Sequence, residues 1–166
     1  MKCVLFANYK RKRNILIYCD YNATTPCAPE VVKAMHQYWS EDFGNPSSAH
    51  LAGRIAARAV SNARLQVAEL VNCYPGEIYF TTGATESNNL VFLGLLLSSS
   101  QNKKRIVISS IEHKSVLEPS LFLAKRGFEV VFLPVSNDGV LDIDKTKKLI
   151  TADTALVSVH AANNEI

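Results

Sequence analysis

A chain of 166 residues is long enough to form one domain with a sizeable hydrophobic core. Its 48% apolar and 20% charged residues are ordinary for a globular protein, and a net charge of +3 favours no particular partner. No apolar run approaches the roughly 20 residues of a membrane-spanning helix, and the four cysteines form no C-x-x-C pair typical of a metal site. We therefore expect no membrane association, no direct nucleic-acid binding and no metal, in a reducing, cytoplasmic compartment.

The chain begins with a short basic stretch. The run from Lys10 to Arg13 follows an apolar piece that is too short for a signal-peptide core. We interpret residues 1–14 as a basic tail of unknown use and expect the folded domain over residues 15–166.

Short apolar runs alternate with helical patterns along the rest of the chain. The helices are expected from about Pro29, over 49–71, from residue 84 onward, up to a cap near Gly127, and over 143–150 behind a cap at Asp142. For the fourth helix, Ser115 can open a capping box, or Pro119 can be its first residue. The strand candidates are residues 15–19, 78–80, 105–109, 129–133 and 155–159. This alternation predicts an α/β fold with a mainly parallel sheet and helices on both faces.

The turn between residues 80 and 84 is a candidate anion site. Gly83 can adopt a backbone conformation that other residues resist, and Thr81 or Thr82 can cap the helix that follows. The unpaired N–H groups of Ala84 and Thr85, with the Thr85 hydroxyl beside them, then suit a phosphate. Many such turns bind nothing, and the absence of G-x-G-x-x-G and G-K-[ST] excludes a dinucleotide fingerprint and a nucleotide P-loop.

Polar residues follow three of the strand candidates. These are residues 82–85, residues 109–113, and Asn163 with Asn164. If the strands run parallel, their carboxyl ends meet at one rim of the sheet, where ligands of such folds bind. The sequence therefore predicts one site formed by all three groups.

Several segments resemble one enzyme family in the family's own order. The segments are IYCDYNATTP (17–26), FGNPSS (43–48), EIYFTTGATESNN (77–89), EHKSVL (112–117) and LVSVHAANNEI (156–166). They resemble the first part of NifS/IscS-type cysteine desulfurases, which belong to the class V aminotransferase group of fold-type I pyridoxal 5′-phosphate (PLP) enzymes. The resemblance implies an incomplete large domain that binds PLP. It also implies conversion of L-cysteine to L-alanine, with the sulfur passed to an enzyme cysteine as a persulfide for iron–sulfur cluster or thio-cofactor assembly. The family's enzymes are homodimers that work with sulfur-acceptor or scaffold proteins.

The resemblance also implies roles for individual residues. Ala84, through its N–H, and Thr85, through N–H and hydroxyl, match the positions that hold the PLP phosphate. His113 matches the catalytic histidine that stacks on the pyridine ring and helps proton transfer, which suits a group that titrates near neutrality. Asn164 matches the residue that contacts the cofactor's phenolic oxygen or the substrate carboxylate, since an amide can donate and accept. Asn163 is expected to shape the turn.

Other parts of the family's active site match no residue up to Ile166. The lysine that carries the cofactor, the aspartate on the pyridine nitrogen and the sulfur-accepting cysteine lie further along the family's chains. We expect this chain alone to have a partial PLP pocket without desulfurase activity, and exposed apolar surfaces that favour association. The alternatives are another class V PLP enzyme, such as a selenocysteine lyase or an aminotransferase, or a non-catalytic fragment that pairs with a full-length desulfurase.

Overall fold

The computed structural model describes residues 17–98 and 102–166. The chain divides into two compact units, Met1–Val71 and Asn72–Ile166. The predicted basic tail, residues 1–14, lies outside the described residues. All four predicted site residues lie in the second unit.

The first unit contains two helices, α1 (Pro29–Ser40) and α2 (Leu51–Val71). Pro29 occupies the first helical position of α1, where its missing N–H costs no hydrogen bond. Both helices were expected from the sequence, and several apolar side chains of α2 are exposed. Leu70, for example, is 84% exposed. The buried positions of α2 are small residues, namely Gly53, Ala56 and Ala68.

The second unit is an α/β arrangement around a three-stranded parallel sheet. The elements of this unit, in chain order, are a 3₁₀ turn (Pro75–Glu77), α3 (Ala84–Leu97), β1 (Arg105–Ser109), α4 (Lys114–Ala124), β2 (Glu129–Leu133), α5 (Ile143–Leu149) and β3 (Thr154–Ser158). The strand order in the sheet is β2-β1-β3, so β1 is the central strand. The predicted α/β fold with a parallel sheet is confirmed.

The predicted strand at residues 78–80 is wrong, and so is the described part of the one at 15–19, whose first two residues lie outside the described residues. In the described part of the chain, residues 17–19 and 78–80 are not assigned to any strand. Ile78 has extended dihedral angles (φ −92°, ψ 123°), yet Tyr79 is 78% exposed. Residues of high β-propensity favour an extended backbone, but a strand also needs hydrogen bonds to a neighbouring strand. The sheet of this unit is formed by three other segments.

The core of this unit lies between β1 and the two helices α3 and α4. Ile106 and Ile108, both fully buried, pack with Phe92 of α3 and with Val116 and Leu123 of α4. Phe92 is the only buried residue of α3, so most of the helix's apolar positions are exposed, although the sequence shows a helical apolar spacing. The core packs α3 and α4 side by side against the sheet. This packing places the N-termini of the two helices in space.

The C-terminus of α4 and the N-terminus of α5 are capped by residues close to them in the sequence. Gly127, at φ 87°, closes α4: its N–H donates to Ala124 O (3.2 Å), and the Phe128 N–H donates to Leu123 O (3.2 Å). This paired pattern is a Schellman motif, so the predicted glycine cap is confirmed. Asp142 caps α5 by accepting the Lys145 N–H at 3.0 Å, also as predicted.

Both predicted starts of the fourth helix are wrong. His113 is its N-cap, Ser115 is the second helical residue, and Pro119 lies inside the helix. The helix can begin earlier because an imidazole nitrogen, rather than a serine hydroxyl, accepts the orphan N–H of the first turn. Within the described residues, no helix is long and apolar enough to cross a bilayer.

Candidate functional site

The start of α3 depends on an unusual backbone conformation at Gly83. This residue is the N-cap, with φ 145° and ψ 178°, a region that is essentially restricted to glycine. A Cβ placed there would meet nothing within 4 Å, so the approach to the helix start is open. The first helical hydrogen bond runs from Ser87 N–H to Gly83 O at 3.1 Å. No side chain caps this helix among the described residues. The amides of Ala84 and Thr85 are therefore suited to an anion.

The predicted threonine caps are wrong because both threonines have other partners. The Thr82 N–H and hydroxyl both donate to Glu86 Oε2, each at 2.6 Å. The Thr81 hydroxyl lies 2.7 Å from Ser87 Oγ. Glu86 thus reaches back over the turn, so that the turn is held without using the first helical amides.

Glu86 also places a negative charge beside the anion site. The hydroxyl of Thr82, and then its N–H, hold the pKa of this carboxyl below its ordinary value of 4.5. The carboxylate is therefore ionised at neutral pH. Its two bonds to Thr82 turn the charge toward the preceding residues.

His113 lies at the start of α4, and its ring is oriented by the first turn of that helix. The Ser115 N–H donates to His113 Nδ1 at 3.1 Å, and Ser115 Oγ lies 2.9 Å from the same nitrogen. A backbone N–H can only donate, so Nδ1 must be the acceptor. Asn88 of α3 donates its Nδ2–H to Ser115 Oγ at 2.9 Å, which links the two helices.

The loops after β1 and β3 are joined by polar contacts. The His113 N–H donates to His160 Nε2 at 3.3 Å, and Asn163 Nδ2 donates to Ile111 O at 3.0 Å. The Glu112 side chain is only 2% exposed, and its Oε2 lies 3.1 Å from His160 Nε2. β1 and β3 are parallel neighbours, so their carboxyl ends meet at one rim, as expected from the sequence.

A cavity of about 890 Å³ lies between α3 and α4. Thr85 and His113 both line it, together with Asn89 and apolar side chains such as Phe92 and Phe122. The structure therefore brings the phosphate-cradle threonine and the histidine to one space.

Two of the four predicted site residues are not among those that line the cavity. Among the described residues, the cavity lining includes neither Ala84 nor Asn164. Ala84 is the first residue of α3, next to Thr85. Asn164 is exposed on the loop after β3, where its Nδ2 donates to Glu165 Oε1 at 3.1 Å. Asn163 accepts the N–H groups of Glu165 and Ile166 at 2.7 and 3.3 Å, in keeping with its expected role in the turn.

Three residues that contact this site were not identified from the sequence as part of it. Asn88 and Ser115 orient the histidine ring, and His160 accepts the N–H of its backbone. His160 could have been found, because it follows β3 at the same rim as Asn163. The link between Asn88 and Ser115 spans 27 positions and has no sequence signal.

The chemistry of this site suits a flat, phosphate-bearing ligand. Open amides and a hydroxyl stand at the start of α3, an imidazole borders the same cavity, and apolar side chains line the rest. In the described part of the chain, no cluster of three or more His, Cys, Asp or Glu side chains could hold a metal ion.

Residues 17–166 match the family model of class-V aminotransferases. The chain is 47% identical to cysteine desulfurase IscS 1 of Archaeoglobus fulgidus over 149 residues, which are 90% of this chain and 39% of that protein. It is 46% identical to cysteine desulfurase IscS of Dictyoglomus turgidum, over 90% of this chain and 38% of that protein.

Solved structures show the same relationship. A "NifS-like protein" superimposes with a TM-score of 0.84 at 40% identity, covering 89% of this chain and 40% of that one. "SspA in complex with cysteine" superimposes with a TM-score of 0.83 at 39% identity, covering 90% and 43%. The chain spans about two fifths of the length of these relatives. It belongs to the class-V aminotransferase family.

Proposed function

We propose that this chain supplies the phosphate-binding and histidine side of the PLP site of a cysteine desulfurase. The enzyme would convert L-cysteine to L-alanine and pass the sulfur to an enzyme cysteine, for iron–sulfur cluster or thio-cofactor assembly. The observation that carries the proposal is the shared cavity of Thr85 and His113 at the starts of two packed helices. The 46–47% identity to proteins named cysteine desulfurase supports the choice of reaction.

The start of α3 would hold the phosphate. The Ala84 and Thr85 N–H groups and the Thr85 hydroxyl provide three donors, and the helix dipole adds positive potential at the same place. Gly83 contributes to this, because no side chain among the described residues caps the helix that follows it. When bound, PLP supplies the electron sink for cleavage of the carbon–sulfur bond.

His113 would stack on the cofactor ring and move a proton. Its Nδ1 accepts from Ser115, so the ring can exchange a proton at Nε2. Asn164, on the loop beside it, would bind the phenolic oxygen of the cofactor or the carboxylate of the substrate, because its amide both donates and accepts.

The remaining features of the full enzyme are part of the same proposal. Residues 15–166 would form the N-terminal part of the PLP-binding large domain, preceded by the basic tail of residues 1–14. The similarity to proteins named cysteine desulfurase supports L-cysteine as substrate, and the homodimer and sulfur-acceptor partners are proposed on the same resemblance. Relatives named IscS come from bacteria and archaea and others are named mitochondrial, so the cytoplasmic location stays a prediction.

Binding of PLP and of pyridoxal, which lacks the phosphate, tests the site. The full chain is titrated with each ligand, and binding is followed by the circular dichroism that an achiral cofactor acquires in a chiral site. Thr85→Val removes one hydroxyl bond to a charged group. We therefore expect it to weaken PLP binding by about 10- to 100-fold and to leave pyridoxal unchanged. Thr146→Val is the matched control, because it makes the same change in α5.

Two results would contradict the proposal. One is equal affinity of the wild-type chain for PLP and pyridoxal, and the other is equal loss in both threonine variants. The reaction itself is tested with the longest protein that contains this chain. Alanine formed from L-cysteine indicates a desulfurase, whereas preference for selenocysteine or for a 2-oxo acid acceptor indicates one of the other class V activities.

A further inference from the structure

The orientation of His113 depends on a chain of hydrogen bonds that begins on another helix. Asn88 lies on α3, one turn after the Ala84–Thr85 cradle, and donates to Ser115 Oγ at 2.9 Å. Ser115 is the second residue of α4, is 8% exposed, and contacts His113 Nδ1 through both its N–H (3.1 Å) and its Oγ (2.9 Å). Three side chains from two helices thus form one connected network.

The direction of these bonds follows from counting protons. The Asn88 amide nitrogen can only donate, so the Ser115 oxygen accepts from it. The Ser115 N–H can only donate and points at His113 Nδ1 at 3.1 Å, so Nδ1 accepts, and the serine hydroxyl 2.9 Å away then donates to the same nitrogen. A hydrogen on Nδ1 would oppose the Ser115 N–H, whereas the hydroxyl could turn and accept it, so the backbone N–H decides the tautomer. In the neutral ring the proton therefore lies on Nε2.

We propose that Ser115 and Asn88 are positioning residues that hold the His113 imidazole in one orientation and in its Nε2–H tautomer. This inference rests on the proposed function, in which His113 stacks on the cofactor and exchanges a proton. With Nδ1 occupied, Nε2 is the nitrogen that exchanges protons with a bound substrate. The Asn88–Ser115 bond also ties the orientation of the ring to α3, the helix that carries the phosphate cradle.

The backbone of His113 is held by a separate contact. Its N–H donates to His160 Nε2 at 3.3 Å. Changes at Asn88 or Ser115 therefore leave the contact that anchors the loop and the bond from the residue 115 N–H, and alter only the hydroxyl bond to the ring. This separation makes the proposal testable.

Nitrogen NMR of the histidine rings reads this arrangement directly. The full chain is labelled with ¹⁵N-histidine, and ring correlations are recorded at a pH where the imidazoles are neutral. His113→Gln assigns its signal among the four histidines. In the wild type we expect the His113 proton on Nε2, with Nδ1 at the shift of a hydrogen-bond acceptor. Ser115→Ala should move Nδ1 toward the shift of an unbonded nitrogen, and Ser115→Thr, which keeps the hydroxyl, should restore it.

Asn88→Asp tests the direction of the chain. A carboxylate cannot donate, so it turns the serine hydroxyl toward itself and produces the same Nδ1 shift as Ser115→Ala. Ser120→Ala is the control: Ser120 is also buried in α4, but its hydroxyl donates to Val116 O at 2.7 Å, so its loss should not move the His113 signal.

Three results would overturn the inference. They are a His113 proton on Nδ1 in the wild type, unchanged Nδ1 shifts in Ser115→Ala and Asn88→Asp, and an equal shift in Ser120→Ala. The NMR readout needs no cofactor. Failure of the wild-type chain to bind PLP would refute the proposed function and leave the orientation of the ring as measured.

Discussion

Two glycine-to-alanine changes in one helix should have opposite effects on stability. Gly83 is the N-cap of α3 at φ 145°, whereas Gly94 is exposed inside the same helix. An added Cβ meets nothing within 4 Å at either position, so contacts cannot distinguish them. The difference must come from the backbone. Gly83→Ala forces alanine into a glycine-only region at a cost of about 1–3 kcal/mol, and Gly94→Ala gains about 0.5–1 kcal/mol of helix propensity.

The two variants should therefore differ by about 1.5–4 kcal/mol in the free energy of unfolding. Urea unfolding followed by far-ultraviolet circular dichroism measures this difference, provided that the slopes of the two curves agree. The same preparations titrated with PLP should show weaker binding for Gly83→Ala only, because relief of the strain moves the amides of Ala84 and Thr85. If Gly83→Ala stabilises the protein as much as Gly94→Ala does, residue 83 is not held in that conformation, and the account of the anion site fails.

Two further predictions concern the core and the turn before α3. Leu123→Ala should destabilise the protein by about 2–5 kcal/mol, because it removes a fully buried side chain from the main cluster. Leu121→Ala on the same helix, at 39% exposure, should cost much less, and equal shifts in the urea midpoint would contradict the assigned core. For Glu86, the folded pKa lies below 4.5, so the ionised side chain contributes stability that is present above pH 4.5 and lost as pH falls through the folded pKa. The difference in melting temperature between wild type and Glu86→Gln should therefore shrink as the pH falls. A difference that stays constant from pH 7 to pH 2 would show that it does not come from the ionised carboxylate and its bonds from Thr82.

The helices were largely predictable because their signals are local. Pro29, Asp142 and Gly127 act within one helical turn of themselves, and each has the role that its chemistry suggests. The start of α4 was missed because its cap is a histidine, a residue type with a weak capping preference. The threonine caps of α3 failed because Glu86 binds Thr82 instead.

The strands were less predictable, since a strand is completed by a partner elsewhere in the chain. Residues 105–109, 129–133 and 154–158 find neighbours and form the sheet, whereas residues 78–80 have a similar composition and form no strand. The buried residues of α3 were equally hard to predict from its own sequence. Its apolar spacing is helical, but Phe92 alone of its residues is buried, with Leu95 and Leu96 partly buried against the core.

The sequence by itself determined the family, the order of helices and sheet strands, and the residues that match a PLP site. These follow from residue types at short spacings, which a chain carries whether or not it is folded. Only the tertiary structure brought Thr85 and His113 to one cavity and joined Asn88, Ser115 and the imidazole into a network. Hydrogen bonds between residues far apart in sequence depend on how α3 and α4 pack on the sheet, and that packing is set by a core whose members come from several separate segments.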